Sequence, residues 1–185
     1  MEIGVLRIGQ VDSDVINGIQ ENLETDLVES KTTLIAETMP LPEGAYAKAR
    51  KQYRSDVILG AIHNIAEKFN SFDRILGIVD VDLFVPRLNF VFGEAEYPGK
   101  VAVISLWRLR PEFYGKASDA QLLVERGTKE AVHELGHTLG LKHCENPFCV
   151  MYFSNSIIET DRKQSLFCNK CYVKTTIKAD KGKDS

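Results

Sequence analysis

The chain has 185 residues, 44% hydrophobic and 26% charged, with a formal net charge of −3. That length can bury a substantial core, so one domain spanning 1–185 is expected. Basic residues are interspersed with acids, which excludes bulk attraction for nucleic acid, and no apolar stretch reaches the roughly 18 residues needed to cross a bilayer.

Ile3 to Val11 is apolar and short enough for a buried strand, and Ser13-Asp14 followed by Val15, Ile16, Ile19, Leu23 and Leu27 marks a capped helix. Thr32 to Thr38 reads as a second strand and Pro40 to Gly44 as a loop. Ser55 then caps a helix to Phe69, with Val57, Ile58, Ala61, Ile62, Ile65 and Phe69 as its apolar pattern. His63 lies in that helix and is expected to be an ordinary helix residue. Three more strands are predicted over Arg74–Asp80, Asn89–Gly93 and Lys100–Leu106, with Asp80 and Asp82 as structural or solvated acids at a strand end. The result is an α/β fold with a mixed sheet of about five strands. Ser118-Asp119-Ala120-Gln121 fits a capping box opening a long helix whose core stripe is Val124, Ala131, Leu135 and Leu139. The charged tail from Lys178 to Ser185 is expected to fray.

That helix carries His133-Glu134-Leu135-Gly136-His137-Thr138-Leu139-Gly140-Leu141-Lys142-His143. Residues four apart share a helix face, so His133 and His137 can bind one ion. Glu134 lies about 100° round the helix, beside the metal and suited to act as a base on water. Gly140 can adopt the left-handed conformation that ends a helix, letting the chain reverse and bring His143 in as a third ligand. Three protein ligands leave one position open, the mark of a catalytic zinc site. The competing reading is an amphipathic helix with solvated histidines; three of the chain's four histidines falling in one run weighs against it.

All four cysteines follow, as Cys144-x4-Cys149 and Cys168-x2-Cys171. Three readings are open: a closed zinc site with four thiolates, two disulfides, or a redox pair at Cys168 and Cys171. Met1 to Arg7 does not open like a signal peptide, which favours zinc over disulfides and makes the cytoplasm the expected compartment for a monomer. In a locally extended backbone His143 and Cys144 would point opposite ways, each toward its own ion.

The histidine run, Cys149-Val150-Met151, Cys168-Asn169-Lys170-Cys171 and Asn89-Phe90-Val91-Phe92-Gly93-Glu94-Ala95 together resemble the archaemetzincins, small zinc proteases of the metzincin clan. The resemblance implies a metzincin-like zincin fold: an N-terminal subdomain over 1–140 with the sheet and active-site helix, and a zinc-organised C-terminal subdomain over 141–185. It implies that His133, His137 and His143 bind catalytic zinc, that Glu134 is the general base, and that Cys144, Cys149, Cys168 and Cys171 hold a second, structural zinc. Met151 would floor the site, and Phe90, Val91, Phe92 and Gly93 would form the edge to which a peptide substrate adds as a strand. Tyr152 is a candidate for reaching the oxyanion. The expected activity is zinc-dependent peptide hydrolysis. An aminopeptidase, or a catalytically weak zinc-stabilised peptide-binding protein, is the alternative.

Overall fold

The computed structural model describes residues 1–27 and 29–181, with side chains described to 175. Strand β1 (Glu2–Ile8), helix α1 (Ser13–Asp26) and β2 (Lys31–Met39) open the chain, followed by two short strands, β3 (Tyr46–Ala47) and β4 (Gln52–Arg54). Helix α2 (Ser55–Ala66), β5 (Arg74–Val79), β6 (Leu83–Phe84), β7 (Gly93–Ala95) and β8 (Val101–Ser105) follow. Two 3-10 turns then lead to the long helix α3 (Ala120–Thr138), the short α4 (Ile157–Arg162) and α5 (Asn169–Lys181).

The main sheet has the expected five strands, in the order β2-β1-β5-β8-β7. Its first four strands are parallel and β7 runs antiparallel at one edge, so the sheet is mixed. Parallel strands need cover on both faces. Ile3, Val5, Leu76, Ile78, Ala102 and Ile104 pack toward α1 and α3, while Leu6, Ile8, Ile75, Val79, Val101 and Val103 pack toward α2. That alternation follows the two-residue period of a strand. The core on the α3 side also takes in Leu141, Cys149, Val150, Met151 and Cys171.

Several boundaries differ from the expectations. β1 stops at Ile8 because Gly9 turns to φ +67°. The α1 cap is Asp12, whose side chain accepts from the Asp14 amide. Ser55 is the first residue of α2 rather than its cap, and its hydroxyl donates to the Phe84 carbonyl instead. α2 ends at Ala66, with only turn-type bonds to Phe69. The α3 cap is Asp119, not Ser118. In its core stripe Ala131 and Leu135 are buried, with Leu123 alongside, whereas Val124 and Leu139 are only half-buried. Lys178 to Lys181 belong to α5, and 182–185 lie outside the described residues.

The segment predicted as a strand over Asn89–Gly93 is displaced: the ladder covers Gly93–Ala95, and before it only Val91 forms an isolated bridge, to Leu83. Phe92 is in the core, in edge contact with Phe90 at 5.1 Å. Asp80 and Asp82 are structural, paired with Arg110 and Arg108. β3, β4 and β6 form a second, three-stranded sheet with no counterpart among the predicted elements.

α4 is fastened to α3 by charge. Arg126, 1% exposed, makes two bonds to Asp161, and the buried Glu130 carboxylate accepts from Thr160 at 3.0 Å and faces Lys163 Nζ at 3.0 Å. Removing one member of a buried ion pair strands the other. Lys163→Met is therefore expected to cost about 3–5 kcal/mol in urea unfolding, with much of the loss recovered in the Lys163→Met/Glu130→Leu double variant. Equal midpoints for wild type and single variant would contradict this.

Candidate metal centre and cleft

α3 ends in a left-handed turn. Gly140 has φ +78°, its amide donates to the His137 carbonyl, and the Leu141 amide donates to Gly136, the bond pattern of a Schellman cap. The chain thereby reverses as expected and brings the His143 ring to 5.4 Å from His133 and 4.9 Å from His137, centroid to centroid. His133 Nδ1 lies 2.7 Å from the Val150 carbonyl oxygen and His137 Nδ1 2.8 Å from that of Leu141. A carbonyl oxygen only accepts, so each Nδ1 carries a hydrogen and each Nε2 presents a bare lone pair.

Those two Nε2 atoms are 3.1 Å apart, and one ring nitrogen from each of the three histidines falls within a 4.8 Å cluster. Lone pairs brought face to face suit a shared cation. Burial holds the His133 imidazole well below its ordinary pKa and lowers His137 and His143 as well, favouring the neutral, ligating form. The donor set therefore fits a metal ion.

Glu134 is buried beside this cluster. Burial, reinforced by the Glu130 carboxylate, raises it well above the ordinary carboxylate range, against the opposing pull of Lys163. Gly93 stands against it: a Cβ there would meet Glu134 Cγ at 2.6 Å and Oε1 at 2.7 Å. Met151 is buried under the same helix, its Sδ 2.4 Å from where a Cβ on Gly136 would lie. A cleft of about 430 Å³ runs past these groups, lined by Phe90, Val91, Phe92 and Gly93 on one side and by His133, Glu134, His137 and His143 on the other.

The four cysteines form a separate cluster. All are free, with sulfurs within 4.8 Å of one another and Cys144 to Cys168 at 3.8 Å, well beyond disulfide length. For Cys168 burial is outweighed by hydrogen bonds from the Cys171 amide and the neighbouring thiols, which bring it down to about 7; burial pushes Cys171 up. A thiol ready to ionise among close sulfurs suits a soft cation. His143 and Cys144, though adjacent, join different clusters.

Every predicted ligand thus falls in one of two clusters. Tyr152 does not line the cleft; Phe153 does, 4.8 Å from the His143 ring. Sequence reasoning missed Tyr97, whose hydroxyl donates to the Gly140 carbonyl, and Glu130, which also lines the cleft. Glu130 lies one helical turn before Glu134, so helix spacing held a signal for it. His63, taken as an ordinary helix residue, is exposed and pairs with Glu96.

The profile of peptidase family M54 matches residues 5–177. Archaemetzincin from Pyrococcus furiosus is 42% identical over 181 residues, 96% of this chain and 94% of that protein, and archaemetzincin from Methanocaldococcus jannaschii is 41% identical over 94% and 92%. The crystal structure of archaemetzincin from Methanopyrus kandleri superposes with a TM-score of 0.84 at 37% identity, covering 97% of this chain and 96% of that one. The archaemetzincin of Archaeoglobus fulgidus, solved with malonate, gives 0.78 at 36% identity over 94% and 99%. With the family profile, the relatives and the fold in agreement, the chain belongs to peptidase family M54, the archaemetzincins, and is a zinc-dependent metallopeptidase.

Proposed function

We propose that the chain cleaves peptides within an extended segment laid along the free edge of β7, with Glu134 as the general base. The observation that carries this reading is the convergence on one cleft of a three-imidazole cluster, a buried carboxylate of raised pKa and an unpaired strand edge. His133, His137 and His143 would hold the catalytic zinc, and Cys144, Cys149, Cys168 and Cys171 a structural one. Zinc at the histidines would lower the pKa of a water and polarise the scissile carbonyl.

Glu134 takes a proton from the attacking water as its oxygen bonds to the carbonyl carbon. It returns that proton to the departing amine as the C–N bond breaks. A raised carboxylate pKa suits both transfers, since the group must be a base first and an acid next. Gly93 leaves room for the carboxyl to sit against β7, beside the peptide it serves. The β7 edge satisfies the substrate's backbone groups by strand addition.

Glu134→Ala should retain metal at the histidines by mass spectrometry and lose at least about a hundredfold in peptide turnover, the low end for a lost acid–base group. Equal turnover of a peptide library by wild type and variant would remove Glu134 from the role. Cleavage of N-terminally blocked peptides separates this reading from an aminopeptidase. Gly93→Ala places a methyl group on Glu134 and on the Val103 carbonyl at 2.7 Å, so turnover should fall while zinc content holds. Cys168→Ser should remove one of two zincs per chain and lower the melting temperature, because a structural site's binding energy is folding energy. An unchanged melting curve would take Cys168 out of the structural site.

A further inference from the structure

Among the described residues β7 has one free edge, and its hydrogen bonds to β8 fix which groups that edge presents. The Phe92 carbonyl accepts from the Ser105 amide at 2.8 Å and the Glu96 amide donates to Val101 at 3.1 Å. Antiparallel pairing alternates, so Glu94, midway between, also turns its backbone to β8, and Gly93 and Ala95 turn theirs outward. A peptide added antiparallel bonds to Gly93 and Ala95. Its residue opposite Glu94 then sits in a non-hydrogen-bonded pair, where cross-strand side chains come closest and share a face.

The two faces of β7 differ. The missing side chain of Gly93 would point at Glu134, and Ala95 packs against the same α3-side core. Glu94 is paired with Val103, which belongs to the core on the α2 side. Substrate residues beside Gly93 and Ala95 thus look toward the histidines, and the one between them looks at Glu94.

Among the described residues Glu94 has no ion-pair partner. Its Oε2 is buried without a hydrogen-bond partner. The acid beside it, Asp56, is already held by Arg54, and among the described residues no lysine or arginine lines the cleft. Its half-buried setting raises the carboxyl pKa through desolvation, against a hydrogen bond to Ser55, and the like charge of Asp56 raises it further. Val85, Leu88 and Val91 line the same cleft and offer apolar wall to the stem of a long basic side chain. Resting on the reading that peptide adds to this edge, we propose that Glu94 is a specificity residue selecting a positive charge in the substrate at the residue across β7 from it. The charge is an ammonium or guanidinium, from a lysine or arginine side chain or from the peptide's own α-amine.

The test compares zinc-loaded wild type with Glu94→Gln and Glu94→Asp on matched peptides carrying lysine, arginine, norleucine or citrulline at each position in turn, with free and acetylated N-termini. Wild type should prefer the cationic member of a pair by about tenfold in kcat/KM, the size of one hydrogen bond to a charged group. Glu94→Gln should bring that ratio close to one and Glu94→Asp should keep part of it. Selectivity surviving acetylation assigns the charge to a side chain; selectivity lost on acetylation assigns it to the α-amine. A ratio unchanged in Glu94→Gln, including a uniform loss on all peptides, overturns the proposal. Binding of the same peptides to Glu134→Ala with and without Glu94→Gln, read by fluorescence anisotropy, decides the point even without turnover. Absence of cleavage by wild type would count against the proposed function alone.

Discussion

The bond from His133 Nδ1 to the Val150 carbonyl oxygen is the interaction on which the rest of the site depends. It is buried, it fixes which ring nitrogen is free, and it joins α3 to a segment seventeen positions further along. Val150 lies between Cys149 and Met151, so three consecutive residues serve three ends: a sulfur to the cysteine cluster, a carbonyl to His133, and a side chain under Gly136. The Cys144 amide closes the loop by donating to the Met151 carbonyl. One short segment therefore touches both the sulfur and the imidazole clusters. The backbone acceptors behind His133 and His137 set ring rotation as well as tautomer, and neither is set by spacing along a helix.

The same economy governs the facing wall. β7 is three residues long, and its first residue is a glycine because Glu134 occupies the place of a side chain. A short edge strand is a common protection against unwanted pairing. Behind it the aromatic segment is braced from the far side: Arg108 lies 4.4 Å over the Phe90 ring while bonded to Asp82, and Arg50 donates to the Leu88 and Asn89 carbonyls. The cleft wall is thus held by arginines that do not line the cleft.

How much of this was legible depends on whether the determining contacts are local. The strands at the centre of the sheet, α3, the turn at Gly140 and the membership of both clusters follow from hydrophobic periodicity and residue spacing, which act over a few residues. The displaced edge strand was misread because Phe90, Val91 and Phe92 alternate as a strand does. The alternation is real, since Phe90 and Phe92 pack with the α3-side core and Val91 with the other, but the ladder partner begins only at Gly93. β3, β4 and β6 have two or three residues each, too few to show a period. The helix caps were misassigned by one residue because Asp12 precedes Ser13 and Asp119 follows Ser118, and only backbone geometry decides which side chain turns inward. Lys163 could not be found at all. Its partner Glu130 is thirty-three positions away and nothing in the residues between them signals the pairing.

That buried pair is a poor device for stability, since the desolvation of two charges generally consumes what their attraction returns. Its position gives it another use. The positive charge of Lys163 lowers the pKa of His133, His137 and His143 together, a contribution that acts alongside burial to keep the rings unprotonated. The same charge pulls Glu134 down while Glu130 pushes it up, so the two members of the pair bear on that carboxylate in opposite senses. Glu130, 3.0 Å from Nζ and itself lining the cleft, offsets that positive charge on the cleft side. A hydrophobic replacement would pack as well and do neither. The ion pair between α3 and the residue that caps α4 is thus better understood as part of the electrostatics of the cleft than as part of the core.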